Sequence, residues 1–134
     1  MRIDRELVRN KFGGLCAYTG KPLGEDWQVD HVHPVSGWRW AQATVHKDEC
    51  HHIDNLFPAI KIINHYKRSH TLESFRRSMM DFHKRLAKLP KKTQRPATAK
   101  RIVYMNKVAE LFDITPDRPF TGQFYFERVG PGIG

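Results

Sequence analysis

The sequence predicts an α+β fold in a single domain, and three patterns carry that expectation. Apolar residues recur at steps of three and four through Leu72, Phe75, Met79, Phe82 and Leu86, the period of a helix with one buried stripe. Trp27-Gln28-Val29-Asp30-His31-Val32 alternates apolar with polar, the period of a half-buried strand. A chain of 134 residues with 40% hydrophobic residues suits one modest core.

The elements follow in order. Residues 2–12 predict a short helix with Leu7 and Val8 turned inward, ended by Gly13-Gly14. Residues 15–23 hold Gly20 and Pro22 and read as a knuckle-like turn between short extended pieces. Pro34 ends the strand at 27–32, because proline has no N–H for a ladder. Residues 35–52 lack periodicity and are expected to loop. Pro58 stands where a helix would start. Residues 59–67 favour strand by their isoleucines, but Ile60, Ile63 and Lys67 share a helical face, and helix is expected. Thr71 is the expected N-cap of the helix over 72–86. A proline-bounded basic linker at 89–96 precedes a helix over 98–112, with Ile102, Met105, Ala109 and Phe112 on its apolar side. Residues 120–129 predict a late strand, and 130–134 a disordered tail.

Several classes are excluded. No apolar run approaches the roughly 20 residues of a membrane helix, so no membrane association is expected. The N-terminus has no signal-peptide pattern, and Cys16 and Cys50 build no disulfide framework. The expected compartment is the cytoplasm. The net charge of +9 is concentrated: residues 61–107 hold 14 Lys/Arg against two acids, a net +12. Such a field suits a polyanion, and nucleic acid first.

One constellation carries chemistry: Asp30-His31, then Asn55, then Asn64 with Lys67 three residues on. Histidine is the natural base near neutral pH. A hard divalent cation wants oxygen donors such as carboxylates and amide carbonyls. Adjacent strand residues face opposite ways, so Asp30 and His31 can serve one atom only at a twisted strand end. His33, His51 and His52 read as packing or loop residues.

Asp30-His31-Val32-His33-Pro34, Asp54-Asn55-Leu56 and Asn64-x-x-Lys67 together resemble the HNH endonuclease motif of the ββα-metal superfamily. Lys11-Phe12-Gly13-Gly14-Leu15-Cys16-Ala17-Tyr18, Asn55-Leu56-Phe57-Pro58-Ala59 and Phe124-Tyr125-Phe126-Glu127 are similar to stretches of HNH proteins common in bacteriophages. The resemblance covers residues 11–77 and implies a ββα-metal core, a C-terminal helical extension over 78–129 and a late strand. It implies metal-dependent hydrolysis of DNA, with His31 as general base, and Asp30 and Asn64 holding one Mg²⁺ or Mn²⁺. Asn55 would orient the base, and Lys67 would lie near the phosphate. His65 is the alternative to Asn64, since helix neighbours point about 100° apart. Many relatives hold a structural zinc with two Cys-x-x-Cys pairs. Here those positions read Cys16, Thr19, Ile60 and Ile63, so no structural zinc is expected.

Arg68, Arg76, Arg77, Lys91, Lys92 and Arg95 are candidate contacts to the DNA backbone. Two rival readings share these residues. One is a non-cleaving nucleic-acid-binding protein on the same fold. The other is an interaction module for phage packaging proteins, using Trp38 and Trp40.

Overall fold

The computed structural model describes residues 3–32 and 52–129. Pro34, the expected loop, Trp38, Trp40 and the expected tail lie outside them. The chain forms two compact units: Met1–Phe75 with Phe124–Gly134, and Arg76–Gln123.

The first unit begins with α1 (Arg5–Asn10), whose N-cap Asp4 accepts from the N–H groups of Glu6 and Leu7. The expected knuckle follows. Leu15 bridges Pro22, the Cys16 N–H donates to the Lys21 carbonyl at 2.8 Å, and the Gly20 N–H to the Cys16 carbonyl at 2.8 Å. Two short strands, β1 (Gln28–His31) and β2 (Leu56–Ala59), pair antiparallel with His31 opposite Leu56. A single 3₁₀ turn, Ile53–Asn55, leads into β2. Helix α2 (Lys61–Lys67) follows after one residue, Ile60.

Pro58 starts no helix; it sits inside β2, opposite Val29. In a strand, a residue's N–H and C=O point to the same side. The Pro58 carbonyl turns away from β1 and accepts from the Ala17 N–H at 2.9 Å. The missing proline donor therefore falls on the side where β1 needs none. The helix expected over 59–67 correspondingly starts at Lys61, with Ala59 in the strand.

Thr71 caps α3 (Leu72–Met80) as expected: its hydroxyl accepts from the Ser74 N–H at 3.1 Å. The stripe Phe75, Met79, Phe82 and Leu86 is buried, but the helix is not continuous. It breaks at Asp81, and α4 (Phe82–Ala87) resumes. The Arg85 guanidinium covers the break, donating to the Ser78 carbonyl at 2.9 Å. The second unit is completed by α5 (Pro96–Leu111), which packs on α4 and begins at the proline expected to bound the linker. Its buried face is Met105, Val108 and Ala109.

Residues 120–129 hold no strand. Instead α6 (Tyr125–Val129) closes the first unit. A helix start leaves N–H groups unpaired, and here the knuckle takes them: Tyr125 N–H donates to Tyr18 O at 3.0 Å and Phe126 N–H to Ala17 O at 2.8 Å. Glu127 reaches back to the Phe124 N–H at 3.0 Å, as in a capping box. These bonds, two of them to a segment remote in sequence, outweigh the strand propensity of three consecutive aromatics. Phe124 then stacks on Phe75 at 5.2 Å between ring centres, and Tyr18 meets Phe124 edge-on at 5.3 Å.

Gly20 marks the tightest contact, with φ of +73° and a position where a Cβ would lie 2.5 Å from the Tyr125 ring. Gly20→Ala is expected to destabilise the protein by more than about 1 kcal/mol, through both the left-handed backbone and the displaced ring. Urea denaturation reads this directly, and an unchanged midpoint would contradict the contact.

Candidate functional site

The alternation of β1 decides what the site contains. Gln28 and Asp30 share one face, two residues apart. On α2, Asn64 and Lys67 share one face, three residues apart. The two faces meet. Asn64 Nδ2 donates to Gln28 Oε1 at 2.7 Å. Lys67 Nζ lies 3.1 Å from Asp30 Oδ2 and 3.4 Å from Oδ1. The same ammonium donates to the His31 carbonyl at 3.3 Å.

A third segment joins from the knuckle. The Tyr18 hydroxyl donates to Asp30 Oδ2. Lys67 is 0% exposed and Asp30 5%, so a phenol, a carboxylate and an ammonium form a closed cluster. Burial pushes the Asp30 carboxyl above its usual value; Lys67 and the Tyr18 hydroxyl pull the other way without cancelling it. Tyr18 is pushed well above its ordinary range, first by burial and then by the Asp30 charge.

The remaining expected residues are placed as follows. Asn55 is buried at the end of the 3₁₀ turn, and its carbonyl accepts from the Val32 N–H at 2.9 Å, which fixes the end of β1. His31 is half-buried, and alternation sends its side chain to the opposite face of β1 from Asp30. His65 is exposed on α2. His52 is the cap of the 3₁₀ turn, its Nδ1 accepting from the Asp54 N–H at 3.2 Å. Arg68 is exposed and ends α2 at φ of 52°. Arg77 is exposed, whereas Arg76 donates to the Gly122 carbonyl at 2.7 Å. Lys91, Lys92 and Arg95 are exposed in the second unit. Cys16, Thr19 and Ile63 are buried, and Ile60 caps α2.

Three residues at the site escaped the sequence reading: Tyr18, Gln28 and Lys11. Gln28 was legible, since period two puts it beside Asp30. Tyr18 and Lys11 were not, because their partners are remote in sequence. Lys11 Nζ donates to the Ile53 carbonyl at 2.8 Å and the Leu56 carbonyl at 2.9 Å, clamping both ends of the turn that carries Asn55.

The donor types include two suited to a hard cation. Asp30 is a carboxylate, but it is buried and its oxygens already accept from the Tyr18 hydroxyl, the Lys67 ammonium and the His31 backbone N–H, so it would have to give up one of these to hold a cation. Asn64 spends its N–H on Gln28, and its carbonyl oxygen meets no protein donor among the described residues. No group of three or more His, Cys, Asp or Glu that could hold a metal ion converges among the described residues, at Asp30 or away from it. No helix among them is long and apolar enough to cross a membrane. No family model, curated protein or solved structure matches this chain.

Two outcomes test the cluster. Lys67→Met strands a buried carboxylate and is expected to cost about 3–5 kcal/mol; adding Asp30→Asn should return part of that loss in a double-mutant cycle. Additive losses would show that the pair is not coupled. The second outcome concerns alkali. Tyr18 ionises less readily folded than unfolded, so its contribution is intact below about pH 10 and is lost as pH rises above that. Stability measured by denaturant from about pH 8 to 11 should fall more steeply in the native chain than in Tyr18→Phe.

Proposed function

We propose that the protein is a metal-dependent endonuclease of the HNH kind, hydrolysing DNA phosphodiester bonds. The observation that supports it best is convergence. The resemblance singles out Asp30, His31, Asn55, Asn64 and Lys67; Asp30 and His31 lie on β1, Asn64 and Lys67 on α2, and Asn55 ends the 3₁₀ turn that leads into β2. Asp30 and Lys67 touch directly, Asn64 is one residue pair away through Gln28, and Asn55 holds the strand end at Val32.

In this reading Asp30 and the Asn64 carbonyl would hold one divalent cation, Mg²⁺ or Mn²⁺. Such an ion, when bound, neutralises charge on the phosphate and the departing oxygen. The chain's own residues do the rest. In this reading the His31 side chain, at the last position of β1, must turn from the face opposite Asp30 to take the proton from the attacking water. Lys67 fixes the Asp30 carboxylate and the His31 carbonyl with a single ammonium, so both ends of the Asp30-His31 peptide are held. The Tyr18 hydroxyl holds Oδ2 of the same carboxylate. The Asp30 charge is already compensated by Lys67, so a cation bound there would compete with that ammonium.

Lys67 thus has a different place from the one the resemblance implies: its ammonium is spent inside the protein. That observation also favours a second reading, a nucleic-acid-binding protein in which Asp30 and Lys67 hold the fold and nothing is cut.

A plasmid-nicking assay separates the two. Nicking with Mg²⁺ or Mn²⁺, none with EDTA, and a loss of about 100-fold or more in His31→Ala are expected for the nuclease. Asp30→Asn should also lose activity, and because it leaves Lys67 buried without a counter-ion its fold is compared by circular dichroism with that of Asp30→Asn/Lys67→Met, which restores neutrality. Cutting that survives His31→Ala would overturn the assigned base. Tight DNA binding with no cutting under any metal would favour the second reading.

A further inference from the structure

The basic charge of the chain belongs to one unit. Residues 76–123 hold twelve Lys/Arg against four Asp/Glu, a net +8, whereas the rest of the chain nets +1. No Asp or Glu occurs between Asp81 and Glu110, a stretch with nine Lys/Arg. Surfaces evolved only for solubility intersperse both signs.

Within that stretch, Lys91, Lys92 and Arg95 on the linker and Lys100 and Arg101 on α5 are all exposed. None of the five forms an ion pair with a carboxylate among the described residues. The linker that carries three of them is not a loose tether. Pro90 and Pro96 bound it, and the Thr93 hydroxyl accepts from the Arg95 N–H at 3.1 Å. Lys91 and Lys92 rim a surface depression with Thr93, Gln94, Ala99 and Ile102.

We infer that the linker of the second unit, with Lys91 and Lys92 at the rim of the depression and Arg95 beside them, is a binding surface for the phosphate backbone of nucleic acid. The occupant follows from what the face lacks. A protein interface wants an apolar centre and is depleted in lysine. In this unit the large hydrophobic side chains left exposed are Met80 and Val103, neither on the linker. Backbone recognition needs only cations at a spacing that phosphates can meet. Of the cations expected from sequence in this unit, Arg76 donates to the Gly122 carbonyl, whereas Lys91, Lys92 and Arg95 are exposed on the linker. The inference is independent of the hydrolytic reading, since a surface of this kind binds whether or not anything is cut.

The test uses the full chain, a labelled duplex of about 20 base pairs, and EDTA throughout so that no hydrolysis occurs. Anisotropy titrations from about 50 to 200 mM salt give the affinity and its salt slope. Lys91→Gln/Lys92→Gln should weaken binding by about tenfold and shallow the slope by roughly two units. Arg9→Gln/Lys61→Gln removes the same charge from exposed positions of the first unit, and should leave the slope within about half a unit of the native value. All four positions are exposed, so folding is not at stake. Equal losses in the two variants would show that net charge alone acts, and overturn the assignment. So would a native chain that does not bind the duplex, or one that prefers a polyglutamate peptide or anionic vesicles to it. Failure of plasmid nicking alone would leave the surface standing, so the two readings fail separately.

Discussion

Everything in the first unit is arranged around a charge that water cannot reach. Asp30 and Lys67 are removed from solvent together, and neither could be so alone, because an isolated ion in that position would cost several kcal/mol. A buried pair is a poor source of net stability, since apolar side chains of the same shape often serve as well. What it does supply is register. A slip of one residue in β1 would turn Asp30 to the other face, leaving Lys67 inside the protein with no counter-ion and the Tyr18 hydroxyl with no acceptor. The pairing of His31 with Leu56, the placement of Asn55 and the angle of α2 are therefore all conditions for burying one ammonium. The polar cluster selects a single arrangement among those the apolar core would tolerate.

How much of this was legible in the sequence depended on range. Periods and caps are local, and they were read well: the knuckle, β1, the Thr71 cap, the buried face of α3 and α4, and α5 all follow from neighbours within a few residues. The α+β class follows from them. Where the reading failed, a distant partner decided. Pro58 belongs to a strand because Ala17 takes its carbonyl. Residues 125–129 form a helix because the knuckle offers two carbonyls to their N–H groups, and no propensity at 120–129 announces that. The site shows the same division. Asp30, Asn64 and Lys67 stand out by spacing, but the burial of Lys67 does not. A lysine on a short helix is ordinarily solvated, and only the fold reveals that its charge is already answered by Asp30. Nothing local explains the break at Asp81.

The two units divide the physical work differently. The first holds closely spaced polar groups in a nearly neutral body, where positions are fixed by hydrogen bonds shorter than about 3.4 Å. The second is built on apolar helix packing between α4 and α5, and it leaves the linker cations Lys91, Lys92 and Arg95 exposed and without carboxylate partners among the described residues. Geometry is demanding in one and permissive in the other. Phosphate contacts tolerate side-chain freedom because they act through charge at a distance of several ångströms, whereas bond-making chemistry does not.

The bonds from α6 to the knuckle have a consequence for the order in which the chain can fold. Tyr18 is made early and Tyr125 about a hundred residues later, yet the first requires the second to finish its surroundings. The second unit is continuous in sequence and can collapse on its own local contacts as it emerges. The first is interrupted by it and must wait, its aromatic core open on the side that Phe124 will cover. The bonds that complete the first unit thus need residues 124–126, whereas the second unit is drawn wholly from residues 76–123.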